Sequence, residues 1–149
     1  MAGMTIVEKI LARNSGQQRV RPGDIVVVDV DTAVMLDMSF IATERRKILK
    51  VHDPDRIAVI YDHMVPAPDA RVAEAQGYGR DFVRRFGIRR FHDVGPDQGI
   101  SHAVAGCAYA LPGTVLSAAI PTPAHRAPST AGRGVGGRDL LAAVTTGKT

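Results

Sequence analysis

Asp62 and His63 are adjacent, and they follow a short apolar run, Ile57 to Tyr61. A carboxylate beside an imidazole raises the imidazole's proton affinity and holds it charged for general-acid work. The same pair also fits a histidine in a surface turn. A second histidine, His102, follows a glycine turn in Gly99-Ile100-Ser101-His102. His52, His92 and His125 have no ligand spacing, so histidines alone do not build a zinc site. The single cysteine, Cys107, excludes an internal disulfide and any cysteine-only metal site, and it fits a reducing compartment. Two glycine motifs point elsewhere. Gly132-Arg133-Gly134-Val135-Gly136-Gly137 fits the dinucleotide fingerprint G-x-G-x-x-G, but Pro121 to Ala131 is a poor preceding strand. Gly147-Lys148-Thr149 resembles the end of a phosphate loop, yet Ala142 stands where its first glycine belongs. Glu44-Arg45-Arg46-Lys47 reads as a solvated face.

The elements that would carry these residues alternate. Thr5 and Glu8 have capping-box spacing ahead of a first helix, Ile6 to Arg13. Ile25 to Val30 is β-branched and predicts a buried strand, as does Ile57 to Tyr61. Asp69 caps a helix to Phe86, with Val72, Ala75, Phe82, Val83 and Phe86 on one face and Gly87 at its end. Arg89 to Val94 predicts a third strand, and Thr114 to Leu116 begins a fourth. Asp139 to Thr145 predicts a last helix, with Gly147 after it. Alternation of this kind predicts an α/β layer architecture with a mostly parallel sheet. From Ser117 to Gly137 the chain is Ala, Pro, Gly, Thr and Arg without a period, which predicts neither strand nor helix.

Composition bounds the rest. The 149 residues are one domain's worth, 45% apolar and 23% charged, which excludes a disordered tail, a collagen or a coiled coil. Of the net charge of +4, +3 falls on an odd tail, Arg126, Arg133, Arg138 and Lys148 against Asp139. No basic stripe with interleaved aromatics appears, so no nucleic-acid partner is expected. Gln98 to His125 is free of Lys, Arg, Asp and Glu, but Gly99, Gly106, Pro112, Pro121 and Pro123 interrupt it, so no membrane span is expected. The N-terminus has Glu8 and no apolar core of signal-peptide length, which predicts a cytoplasmic protein.

Several blocks occur in a recognisable order. They are Val20-Arg21-Pro22-Gly23-Asp24-Ile25-Val26, Asp53-Pro54-Asp55-Arg56, Tyr61-Asp62-His63-Met64-Val65-Pro66-Ala67-Pro68, Gly99-Ile100-Ser101-His102, Leu111-Pro112-Gly113-Thr114-Val115-Leu116 and Gly134-Val135-Gly136-Gly137. Together they resemble the N-terminal part of the aconitase family, in its branch of 3-isopropylmalate dehydratase large subunits and homoaconitase-like enzymes. The resemblance covers nearly the whole chain. It implies a partial aconitase-like α/β/α domain belonging to a [4Fe–4S] hydro-lyase of leucine or lysine biosynthesis. Such enzymes isomerise hydroxy di- or tricarboxylic acids by dehydration and rehydration, and one cluster iron acts as Lewis acid. By resemblance His63, supported by Asp62, matches the acid that protonates the departing hydroxyl. His102 matches a second active-site histidine, and Asp37 an acidic position in the substrate-side loop. Leu36 departs from the family, which usually has His or Gln there.

The cluster's three cysteine ligands lie, in the family, downstream of every block matched here, and Cys107 is not one of them. The catalytic base serine comes from a C-terminal domain or a separate small subunit. The resemblance therefore implies a 1–149 fragment that is inactive alone, with no cofactor or metal ligand of its own. Its expected partners are a hydroxy-acid substrate and a small subunit or the missing C-terminal part. The alternative is a non-catalytic remnant or association module.

Residues 117–131 depart further, because the family there has Asp-Ser-His-Thr and then Gly-Ala-Phe-Asn. One codon choice for Ala119 to Pro123, read from the third base of its first codon, spells the first motif. A choice for Arg126 to Thr130 spells the second at the same offset. This predicts a segment translated out of frame, with a compensating shift before Gly134; the gene sequence decides it.

Overall fold

A computed structural model describes residues 3–43, 48–119 and 131–149. The Glu44–Lys47 charge run, His125 and most of the 117–131 segment lie outside the described residues. Five parallel strands form one sheet: β1 (Thr32–Leu36), β2 (Ile57–Ile60), β3 (Arg90–His92), β4 (Val115–Ala118) and β5 (Ala131–Gly134). Their order is β3-β2-β1-β4-β5. The helices are α1 (Ile6–Ser15), α2 (Asp37–Thr43), α3 (Ala70–Phe86), α4 (Ser101–Val104) and α5 (Gly137–Thr146), and a π-helical turn, Ala105–Tyr109, continues α4. Among the described residues no helix is long and apolar enough to cross a membrane.

Alternation along the strands builds two apolar layers. Ala33, Met35, Ile57, Val59 and Tyr61 face a core with Phe40 of α2, Phe82 and Val83 of α3, and Leu140 and Val144 of α5. Val34, Leu36, Ala58, Ile60, Leu116 and Ala118 face the other way, against Ala105 and Ala110. Both faces of β1 and β2 are therefore covered, as parallel strands require. The α/β expectation holds.

Local signals account for the start of α1, both ends of α3 and the end of α5. Thr5 and Glu8 close the predicted capping box, with Thr5 N–H donating to Glu8 (2.6 Å) and Glu8 N–H to Thr5 Oγ1 (3.2 Å). Asp69 accepts the Val72 N–H at 2.8 Å. Gly87 and Gly147 end α3 and α5 with φ of +67° and +75°, a conformation in which a side chain is strained.

Two expectations need correction. Ile25 to Val30 is not a sheet strand: among the described residues its only ladder contact is an antiparallel bridge between Asp29 and Lys148, flanked by Val28 and Thr149 exchanging N–H···O bonds of 2.9 and 3.1 Å. The strand lies just beyond it, at Thr32–Leu36, where β2 and β4 pair on both sides. The stretch from Ser117 to Gly137 is also partly regular, because Ser117 and Ala118 end β4, Ala131–Gly134 form β5, and Gly137 opens α5. The glycine run thus lies partly inside an edge strand, where its first two glycines make ladder pairs with Leu116 and Ala118. It does not form the loop that cradles a pyrophosphate.

Candidate active site

In this strand order the chain winds outward from β1 to β3 on one side and through β4 to β5 on the other. The switch point is the crevice beyond the carboxyl ends of β1 and β4, where such sheets bind ligands. The β1–β2 register pairs Leu36 with Ile60. Asp37 and Tyr61, the next residues, leave the sheet level with one another, and Asp62 and His63 follow one step beyond. Sheet register therefore brings Asp37 to the Asp62–His63 pair, from which the sequence separates it by 25 positions.

Asp62 is the hub. Its Oδ1 lies 2.6 Å from His63 Nδ1, and its Oδ2 accepts the backbone N–H of Ser101 at 2.6 Å. An ionised carboxylate only accepts, so Nδ1 carries a proton and Nε2 is the nitrogen left for chemistry. The Asp62 side chain is 9% exposed and that of His63 27%. Burial pushes the Asp62 carboxyl up, but the Ser101 N–H and the His63 ring outweigh it and hold the group below its usual range. Asp62 stays ionised, the state that anchors an imidazole by Nδ1.

Asp37 is fully buried at the start of α2. Its Oδ2 accepts the backbone N–H of Met64 at 2.6 Å, while Oδ1 has no hydrogen-bond partner among the described residues. Asp37, Asp62 and His63 each offer a ligand atom within 4.8 Å of the others, a spacing that would suit a cation. Three of the four carboxylate oxygens are already engaged in the hydrogen bonds just given. His102 stands next to Ser101 in the first turn of α4, half-buried, with a buried Nδ1 that has no partner among the described residues; Ser101 Oγ is in the same condition. The structure thus brings Asp37, Asp62 and His63 together and ties the His102 segment to them through Ser101.

Sequence reasoning missed Ser101 and Gln76. Ser101 acts through its backbone N–H, which no residue type reveals. Gln76 left a signal, since it is the one polar side chain on the buried stripe of α3 with Val72, Ala75, Gly79, Phe82 and Val83. A cavity of about 160 Å³ opens nearby, between the ends of β1 and β4 and α5. Its wall is apolar, with Met35, Met38, Val135 and Leu140, and it includes none of Asp62, His63, Ser101 and His102.

A [4Fe–4S] cluster takes three or four thiolates. The chain has one, Cys107, and it is exposed, so the residues present do not fit the cluster.

No protein-family model matches the chain. Curated proteins do. The 3-isopropylmalate dehydratase large subunit of Mycolicibacterium smegmatis is 42% identical over 149 residues, covering 99% of this chain and 35% of that protein. That of Saccharolobus solfataricus is 39% identical over 154 residues, covering 100% of the chain and 36% of the relative. That of Aquifex aeolicus is 37% identical, covering 98% and 35%. The chain spans about a third of the length of the curated relatives it matches. Along nearly its whole length the chain is thus similar to these 3-isopropylmalate dehydratase large subunits, in line with the resemblance its motifs carry.

Proposed function

We propose that this chain contributes the acid–base end of a hydro-lyase site of the 3-isopropylmalate dehydratase type. The observation that carries the reading is Asp62, bonded to His63 through one oxygen and to the Ser101 N–H through the other, at the carboxyl edge of a parallel sheet. In the dehydration direction His63 Nε2 gives its proton to the hydroxyl leaving carbon as water. Asp62 stabilises the imidazolium beforehand and keeps the ring in one tautomer. Rehydration returns the proton to Nε2. His102 and Asp37 border the same site, His102 as a second imidazole toward the substrate and Asp37 as the acid of the substrate-side loop. The substrate is a branched hydroxy dicarboxylic acid of leucine biosynthesis, handled in the reducing cytoplasm.

Cluster ligands and the catalytic base come, in this reading, from outside the 149 residues, in the rest of a longer large subunit and a small subunit. The chain alone is inactive. Anaerobic iron–sulfur reconstitution of the 149 residues yields no stoichiometric cluster absorbance; such an absorbance would contradict this part.

The decisive test is a chimera in which this chain replaces the matching third of the Mycolicibacterium smegmatis large subunit. Residues 117–131 are kept in one version and exchanged for the relative's segment in another. The exchanged version is active, and His63→Asn lowers its kcat by about 10²–10⁴-fold, the range of general acid–base catalysis. A His63→Asn chimera with unchanged kcat would remove the reading.

A second reading, an association module, is favoured by Ile25 and Val27, both apolar and both facing solvent. In that case the same chimera dissociates or aggregates without His63 mattering.

A further inference from the structure

We propose that Gln76 is a positioning residue for the Asp62–His63 pair, fixing the backbone on which His63 sits; this rests on the function proposed above. Gln76 is 5% exposed on α3, and burying an amide there is costly unless it is bonded. Its Nε2 donates to the carbonyl of Met64 at 2.8 Å. Asp37 Oδ2 accepts the N–H of the same Met64 at 2.6 Å. The two peptide planes flanking Met64 are therefore gripped from opposite sides, one by α2 and one by α3. His63 is the residue immediately before, and its carbonyl belongs to the first of those planes.

The other end of the turn is tied to the same helical residue. Tyr61 Oη donates to the Gln76 carbonyl oxygen at 2.8 Å. Burial pushes the Tyr61 phenol up, so it remains a donor. Gly79, one turn along α3, leaves the room this requires: a Cβ there would overlap the Tyr61 hydroxyl and lie 2.7 Å from the Phe40 ring. One residue thus holds both ends of Tyr61–Met64, and the catalytic pair is the span between them. Gln76 reaches no reacting atom in this arrangement. Its effect passes through Met64.

The test is NMR of the 149-residue chain with no substrate, observing the His63 Nδ1–H proton that is bonded to Asp62. In the unmodified chain this proton, held by the Asp62 carboxylate, gives one resonance. Gln76→Met keeps the volume and removes the amide. It raises that proton's exchange rate about tenfold, as the loss of one hydrogen bond implies, while β2 amides at Val59 and Ile60 keep their protection. Tyr61→Phe cuts the other tie without altering Gln76 and gives a smaller increase. Asp37→Asn, which keeps an oxygen to accept the Met64 N–H, restores near-normal exchange where Asp37→Ala does not. Unchanged His63 exchange in Gln76→Met with β2 intact would overturn the proposal. If Gln76→Met loses β2 protection as well, the Tyr61→Phe and Asp37 variants decide, and no change in any of them overturns it. Because no turnover is involved, failure here leaves the hydro-lyase reading standing, and an inactive chimera with a normal His63 signal refutes that reading alone.

Discussion

Asp24–Val30 and Ile57–Ile60 are written in nearly the same letters, and they end in different environments. Ile57–Ile60 pairs with β1 on one edge and β3 on the other, and each of its four side chains is at most 2% exposed. In Asp24–Val30 the alternation survives, with Val28 and Val30 buried, but Ile25 is 98% exposed and Val27 63%. Only the far end is paired, through Thr149 and Gly147. β-branched residues favour an extended backbone; neighbours on the edges turn it into a strand. The comparison also separates two roles. The segment paired on both edges delivers Tyr61, Asp62 and His63 to the carboxyl edge of the sheet, whereas the half-paired one carries no candidate site residue.

Substitutions on the two segments sharpen this contrast. The largest effect falls on β2. Ile60→Ala empties a fully buried position and costs about 2–5 kcal/mol, measured by urea unfolding at constant m-value. A loss below ~1 kcal/mol would mean that β2 is not the packed centre described here. Next comes acid. The Asp62 carboxyl sits below its ordinary 3.8 in the folded chain, so the unfolded chain takes up its proton first. Stability from this group is complete above the ordinary value and is lost as pH falls through the lowered one. Asp62→Asn therefore flattens that part of the acid limb in a pH series of unfolding free energies. The smallest effect is on the exposed segment: Ile25→Ser changes stability by no more than ~0.5 kcal/mol, while reducing aggregation measured by light scattering. A large loss there would erase the distinction between the two segments.

What the sequence made legible follows from how far each signal reaches. The α1 and α3 caps are four-residue patterns, so Thr5, Glu8, Asp69 and Gly87 could be read directly. The Asp62–His63 pair is covalently adjacent, so it too was visible. β5, Ala-Gly-Arg-Gly, lacks every strand-favouring residue and exists because β4 offers it a ladder. α2 has only seven residues and was hidden between a strand and a charge run. The Ser101–Asp62 and Gln76–Met64 bonds join residues 39 and 12 positions apart, and no local pattern encodes such contacts. The alternation of strand and helix patterns placed the α/β layers; tertiary pairing decided which β-branched run entered the sheet.

The central claim is that Asp62 and His63 act as one unit. A double-mutant cycle on kcat in the active chimera tests it most directly, using Asp62→Asn, His63→Asn and both together. The double variant is expected to be no slower than His63→Asn alone, because an aspartate that works only through the imidazole has nothing left to support once the ring is gone. Losses that multiply, with the double variant slower by the product of the two singles, would contradict it.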